Sequence, residues 1–289
     1  MKVLITGAGG QVATALSARP PAGVELTNVA RSELDIADPE QVRRVLSAVR
    51  PDAIINAAAY TAVDRAESEP ERAREVNETG PRNIAEIAAQ IGARVLHLST
   101  DFVFDGESSQ PYAPGAMTRP LSIYGQTKLA GEVAVSSLLP SRSVVLRTAW
   151  VYAASGHNFV RTMLKLMKEK GGVRVVADQI GSPTAATSVA GAIWKIIERP
   201  QIAGTLHWTD AGVASWYDFA VAIAEEAAAI GMLPNAVTIA PIATSEYPTP
   251  ARRPRFSVLD CRSTLIATGM TATHWRSNLR RVLGDMPIA

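Results

Sequence analysis

The sequence has almost no cysteine: Cys261 stands alone among 289 residues. That excludes a disulfide framework within the chain, and a lone thiol with no His or Asp setting around it reads as buried filler rather than as a nucleophile. A reducing, intracellular compartment is the expectation. Histidine is nearly as scarce. His97, His157, His207 and His274 lie too far apart for metal-ligand spacing, so no metal site is expected, and only His157, beside Asn158, invites attention. No sign of charge dominates either. With 29 Lys and Arg against 27 Asp and Glu, a net charge of +2 supplies no global field toward nucleic acid or a membrane, and any anionic ligand must be recognised locally. Long apolar runs are also missing: Val3, Leu4 and Ile5 soon give way to Gly7, too short a run for a signal peptide or a spanning helix. The expected location is the cytoplasm. Internal repeats and low-complexity stretches are absent.

What the sequence does have is 47% apolar residues, enough at this length for a sizeable core and for one domain to begin splitting into two. Lys2 to Thr6 reads as a strand, broken by Gly7, Gly9 and Gly10 and followed by helical spacing through Val12, Leu16 and Arg19. Val24 to Val29 predicts a second strand. Asp38, Pro39 and Gln41 then supply N-cap, first helical position and capping-box partner for a helix through Val49. Further strands are expected at Asp52 to Asn56, Arg94 to Leu98 and Ser143 to Arg147, separated by a long helix from Glu69 to Ile91 and by one from Tyr124 to Leu138. This alternation predicts a Rossmann-like, doubly wound parallel α/β sheet over residues 1–150, with right-handed crossovers. After Tyr152 the rhythm loosens to a helix over 158–170, a strand over 173–177 and a proline-rich, irregular tract from Pro241 to Pro254. Residues 151–289 are expected to form a smaller mixed α/β substrate domain, with a segment near 186–210 returning to the first.

Gly7-Ala8-Gly9-Gly10-Gln11-Val12-Ala13 sits between the first strand and its helix. Pyrophosphate oxygens must approach backbone N–H groups at the positive end of that helix, so side chains there must be small. A tight βα turn with no ligand would look similar, but neighbouring residues point the same way. Asp35 is placed to accept from an adenine amine, and Asn56-Ala57-Ala58-Ala59 offers small side chains beside a cofactor. An NAD site usually carries an acid at the end of the second strand. Here that window reads Asn28-Val29-Ala30-Arg31-Ser32, and Arg31 can pair with a 2′-phosphate, which favours NADP(H), with NAD(H) as the alternative.

Tyr124 and Lys128 lie at i and i+4 on one helical face. A phenol ionises near pH ~10, and a nearby cation favours the phenolate, moving it toward the working range for proton transfer. Lys128 can also hold a nicotinamide ribose. Ser99-Thr100-Asp101 follows the fourth strand at the carboxyl edge of the sheet, where a hydroxyl can orient a reacting oxygen toward Tyr124. Together these residues predict dinucleotide-dependent carbonyl reduction.

With these motifs on view, the sequence resembles the extended short-chain dehydrogenase/reductases, and more closely the dTDP-4-dehydrorhamnose reductase family. The resemblance rests on Gly7 to Ala13, Asp35-Ile36, Asn56 to Glu67, Ser99 to Gly106, Tyr124 to Glu132, Arg147 to Tyr152, Asp178 to Thr184 and Arg253-Pro254. It implies Thr100, Tyr124 and Lys128 as a catalytic triad, acting on the C4 carbonyl of a dTDP-4-keto-6-deoxyhexose. It implies a nucleotide-sugar substrate with Asp101 and Trp150 at the sugar, Asn158 and the Asp178 to Thr184 loop, Gln179 included, near the nucleotide-sugar, and Arg253 on the diphosphate. Gly7, Gly10, Gln11, Val12, Arg31, Asp35, Ile36, Ala57 to Ala59, Tyr60 and Thr61 would line the cofactor pocket.

The sequence departs from the family pattern in places. Ala13 replaces a third glycine, Phe102 stands at the sugar where a tyrosine is usual, and Ala15 and Thr187 occupy positions where some relatives carry metal-binding glutamates. The expected assembly is therefore a monomer or a metal-independent homodimer. Two rival readings remain. One is another sugar-nucleotide enzyme of this fold, a 4-ketosugar reductase, epimerase or dehydratase, although a dehydratase usually wants an acid pair after the threonine and here Asp101 is followed by Phe102. The other is a non-catalytic regulatory subunit, against which the intact Thr100, Tyr124 and Lys128 argue.

Overall fold

Short runs rich in apolar residues suit strands covered on both faces, and most of the strands at the centre of this protein carry such a run. The computed structural model describes residues 1–233 and 237–286. β1 (Lys2–Thr6), β2 (Glu25–Val29), β3 (Ala53–Asn56), β4 (Arg94–Thr100) and β5 (Ser143–Thr148) join one later strand in a six-stranded sheet whose neighbours all pair parallel. Alternate residues feed opposite cores. Val3, Ile5, Ala53 and Ile55 pack with α1 (Gln11–Ala18), while Leu4 and Ile54 pack with α2 (Pro39–Val49) and the helices beyond β3. Such two-sided burial pins the register, since a one-residue slip would exchange the faces.

α2 begins as its sequence requires, with Asp38 Oδ1 accepting from the N–H groups of Glu40 and Gln41. The reciprocal half of the expected capping box is absent: the Gln41 amide donates to Asp38 Oδ2 at 2.8 Å and accepts from Asp35 N at 3.1 Å. It therefore braces the loop that carries Asp35. The long helix expected from Glu69 to Ile91 is present from Pro70 to Ile91 but carries a π turn in its middle. A short α3 (Val63–Ala66) precedes α4 (Pro70–Arg74), then one π turn over Glu75–Thr79, then α5 (Gly80–Ile91). The bulge turns Asn77 inward, where its amide bonds Tyr60 N at 2.8 Å, Tyr60 O at 3.1 Å and Thr127 Oγ1 at 3.2 Å. The carbonyl of Asn77 packs directly on Gly131 of α6 (Ile123–Leu138), a contact with no room for a Cβ.

Beyond β5 come β6 (Val151–Tyr152), α7 (Phe159–Lys170), β7 (Gly172–Val176), β8 (Ile180–Gly181), β9 (Thr184–Ala185) and α8 (Ala186–Ile197). α8 returns to pack on α1 beneath the sheet, and β10 (Gly204–His207) adds to the edge beside β5. β11 (Ala214–Ser215), α9 (Trp216–Ala229), β12 (Thr238–Ile242), α10 (Arg262–Thr268) and α11 (Trp275–Gly284) complete the chain. α7, α9 and α11 share a second core around Phe219, Met167 and Leu279. The expectation of irregularity from Pro241 onward needs correction, because Pro241 and Ile242 close a parallel pairing with Val175 and Val176. Proline is tolerated there because the sheet has only two strands and its missing N–H faces no partner. Residues 234–236 and 287–289 of the expected second domain lie outside the described residues.

Candidate active site

The strand order β2-β1-β3-β4-β5-β10 reverses between β1 and β3, and a doubly wound sheet opens a crevice at such a switch point. Gly7 follows β1 with φ +76°, and a Cβ there would sit 2.8 Å from Ala58 N. The turn after β1 and the end of β3 therefore meet backbone to backbone, which only glycine allows. Gly10 opens α1 with no side-chain cap, leaving the helix's first N–H groups toward the crevice as an anion cradle. Gly7, Gly10, Gln11, Val12, Ala57, Ala58, Ala59, Tyr60 and Thr61 all line one cleft of about 880 Å³. A bare, extended cradle of this kind fits a dinucleotide pyrophosphate.

Arg31, Asp35 and Ile36 border the same cleft. The Arg31 side chain is 74% exposed and 4.0 Å from Asp35 Oδ2, a loose contact that leaves its guanidinium available. Asp35 is approached more closely, at 3.3 Å, by Arg72 of α4. Arg72 sits within a charge-rich helix and carried no sequence signal. Tyr60 donates its hydroxyl to Glu69 at 2.6 Å, a bond that raises the phenol's pKa.

The reacting end is built by β4 and the start of α6. Thr100 Oγ1 donates to Asp101 Oδ1 at 3.0 Å and accepts from Phe102 N at 3.2 Å, starting a single 3₁₀ turn over Asp101–Val103. Ser122 caps α6 through Gly125 N, while Glu67 accepts from Ile123 N at 2.8 Å. Tyr124 then projects into the cleft with the Phe102 ring edge-on at 5.5 Å. Lys128, buried one turn later, donates from Nζ to Leu98 O at 2.6 Å.

One expectation about this pair fails. Burial pushes the Tyr124 phenol up to about 12, with only the Thr100 hydroxyl working against it. Lys128, drawn onto the Leu98 carbonyl, does not bring it down. Burial also lowers Lys128 to about 8, opposed by Glu132. Desolvation thus outweighs the pairing that i, i+4 spacing suggested. Asp101 is likewise pushed up to about 6 by burial, against the hydroxyls of Ser257 and Thr100, and its Oδ2 has no hydrogen-bond partner among the described residues. Behind these groups Glu132 is held by Ser99 and, through two guanidinium nitrogens, by Arg147 in a buried pair.

Trp150 has φ +50°, a left-handed backbone that costs a bulky residue about 1–2 kcal/mol. The turn lays its indole flat on Trp216, ring centroids 3.5 Å apart, and against Gly181, where a side chain would strike it. One face of Trp150 is thus covered. Trp216 also lines the cleft, a position the sequence did not single out. Arg253 borders both this cleft and a second cavity of about 400 Å³ that includes Gln179, Thr244, Arg252 and Arg255. Its guanidinium is held by Asp64 at 2.8 and 3.1 Å. Gln179 donates to Thr244 Oγ1 at 3.0 Å.

Asn158 lines neither cavity, whereas Gly156 and His157 line the larger cleft. The Asn158 amide caps α7 through Arg161 N and donates to Gln11 Oε1 at 3.0 Å, so it ties α7 to the glycine turn. Among the described residues no cluster of His, Cys, Asp and Glu could hold a metal ion, and no helix is long and apolar enough to cross a membrane.

Residues 1–287 match the family described as RmlD substrate binding domain. The chain is similar to dTDP-4-dehydrorhamnose reductase of Escherichia coli K12, 39% identical with 99% of this chain and 98% of the other covered. It is also similar to the enzyme of that name from Burkholderia thailandensis, at 42% identity over 96% of each chain. A crystal structure of dTDP-4-dehydrorhamnose reductase from Bacillus anthracis in complex with NADP superposes with a TM-score of 0.92, at 36% identity over 99% of both chains.

Proposed function

The chain belongs to the RmlD substrate binding domain family and is similar over nearly its whole length to dTDP-4-dehydrorhamnose reductases, and from that premise we propose that it reduces the C4 carbonyl of dTDP-4-dehydro-L-rhamnose to dTDP-L-rhamnose with NADPH. Bound along the cleft, NADPH supplies the hydride that adds to C4. Tyr124 gives its proton to the alkoxide that develops at O4. Thr100, beside Tyr124 at the carboxyl edge of β4, directs that oxygen, and Lys128 holds the ribose and restores the proton. A phenol kept near pKa 12 arrives protonated, as a general acid must. Gly7, Gly10, Gln11 and Val12 receive the pyrophosphate, with Ala57 to Tyr60 and Ile36 walling the pocket. Asp35 takes the adenine amine and Arg31 the 2′-phosphate. Asp101, Phe102 and Trp150 address the sugar, Gln179 lies near the nucleotide-sugar and Arg253 addresses its diphosphate; Asn158 acts through Gln11.

The observation that carries this reading is the meeting, in one cleft, of the glycine turn with Thr100, Tyr124 and Lys128. Residues 1–150 with 186–210 serve the cofactor and most of the rest serves the nucleotide-sugar. The protein works in the cytoplasm, as a monomer or a metal-independent homodimer. The test is NADPH consumption against a panel of nucleotide 4-ketosugars, with the product sugar identified. Stoichiometric NADPH oxidation with dTDP-4-dehydro-L-rhamnose is expected. Turnover without net NADPH oxidation would indicate an epimerase or dehydratase, and no turnover with any sugar nucleotide would indicate a regulatory subunit.

A further inference from the structure

His97 is fully buried in β4, outside the groups given a role above, yet its ring joins two of them. Nδ1 lies 3.0 Å from Asn56 Nδ2, and Nε2 lies 3.5 Å from Lys128 Nζ. Asn56 in turn accepts at Oδ1 from Thr6 Oγ1 at 2.7 Å, and Thr6 Oγ1 accepts from Ala58 N at 3.3 Å. A continuous buried chain thus runs from the backbone beside the glycine turn to the buried lysine.

Its polarity is set from the far end. The Ala58 N–H can only donate, so Thr6 Oγ1 accepts there and spends its own proton on Asn56 Oδ1. The Asn56 amide then donates to His97 Nδ1, which leaves the ring proton on Nε2, facing Lys128. Turning the Asn56 amide over would strand the Thr6 hydroxyl proton, since Thr6 and Asn56 are each 1% exposed and an unmet buried donor costs about 1–3 kcal/mol. An Nε2–H aimed at Nζ is a donor to a neutral amine and a repulsive dipole to an ammonium. Burial and the Lys128 charge both hold the imidazole neutral.

We propose that His97 is a positioning residue for the proton transfer assigned to Tyr124 and Lys128: its Nε2–H holds the Lys128 amine and favours that form over the ammonium. This rests on the reading of Tyr124 and Lys128 given above. The other charged groups near Lys128 are few. Glu132, on the same helix, favours the ammonium but is itself paired with Arg147 of β5; Tyr124 precedes Lys128 by one turn, and Asp101 of the 3₁₀ turn faces the Tyr124 phenol. From the π turn the neutral Asn77 contacts Thr127 of α6, while its Glu75 and Glu78 pair with Arg72 and Arg74, and Glu67, just past α3, is bonded to Ile123 N.

The experiment compares His97→Phe, which keeps the ring volume without a nitrogen, and His97→Gln, which can restore an N–H donor. For His97→Phe, kcat is expected to fall about tenfold with little change in KM, and the alkaline limb of the kcat profile should move to higher pH; His97→Gln should bring it part of the way back. A profile that only scales down, or a limb moving to lower pH, overturns the proposal. Should His97→Phe fail to fold, ¹⁵N NMR of histidine in the unmodified protein decides: a neutral ring protonated at Nε2 supports it, and protonation at Nδ1 overturns it. The NMR arm needs no turnover, so its failure is distinct from failure of the Tyr124 and Lys128 assignment.

Discussion

The two ends of the cleft are made of different material. At the cofactor end the surface is mostly backbone: Gly7 touching Ala58, Gly10 opening α1 uncapped, and three alanines after β3. At the substrate end it is made of side chains locked by partners, with Trp150 on Trp216, Arg253 on Asp64 and Gln179 on Thr244. Backbone cradles exclude additions and forgive deletions. Side-chain sites behave in the opposite way, because each deletion strands the partner that held it.

The reacting centre between them gives the largest expected effect. Tyr124→Phe removes one oxygen and should cut turnover by about 10² or more while leaving NADPH affinity within about twofold; NADPH oxidation rates and a fluorescence titration check this, and near-normal turnover would remove Tyr124 from the mechanism. At the cofactor end a single added methyl should come next. Gly7→Ala forces a Cβ to 2.8 Å from Ala58 N at φ +76°, and should cost about 1–3 kcal/mol of stability together with about tenfold or more in NADPH affinity. Urea midpoints and cofactor titration report the two losses. Arg31→Ala, the removal of a whole exposed side chain from the same end, should weaken NADPH only about three- to tenfold and leave NADH nearly unchanged. If Arg31→Ala proved costlier than Gly7→Ala, the cofactor end would not be the backbone cradle described, and equal weakening of both cofactors would contradict the role of Arg31.

The same contrast explains what could be read from the sequence. Backbone devices leave local marks, because a glycine between a strand and a helix has few other uses and apolar strands announce a parallel sheet. The sheet and the glycine turn were legible in that way, and the motifs holding Thr100, Tyr124 and Lys128 placed those side chains in the cleft beside that turn. Side-chain locks join positions far apart in the chain and leave no local mark. Trp216 of α9 meets Trp150 in the turn between β5 and β6, Asp64 of α3 meets Arg253 from 189 residues away, and Arg72 reaches Asp35 from within a run of charges. Asn158 stood at the right helix start, but its amide is committed to α7 and Gln11. Electrostatics was the least legible. Spacing alone suggested that Lys128 would ease the ionisation of Tyr124, whereas depth in the protein decides the matter.

The π turn at Glu75–Thr79 makes the helix between β3 and β4 one residue longer than its rise requires. Deleting a single residue there would let an unbroken α-helical ladder run from Pro70 to Ile91, and by local criteria the helix would improve. The same deletion would turn everything before it by about 100°, taking Asn77 from Tyr60 and Thr127 and opening the contact with Gly131. Helical regularity and the wall of the cleft therefore compete for one residue. A redesign that smoothed this helix would gain secondary structure and lose its site.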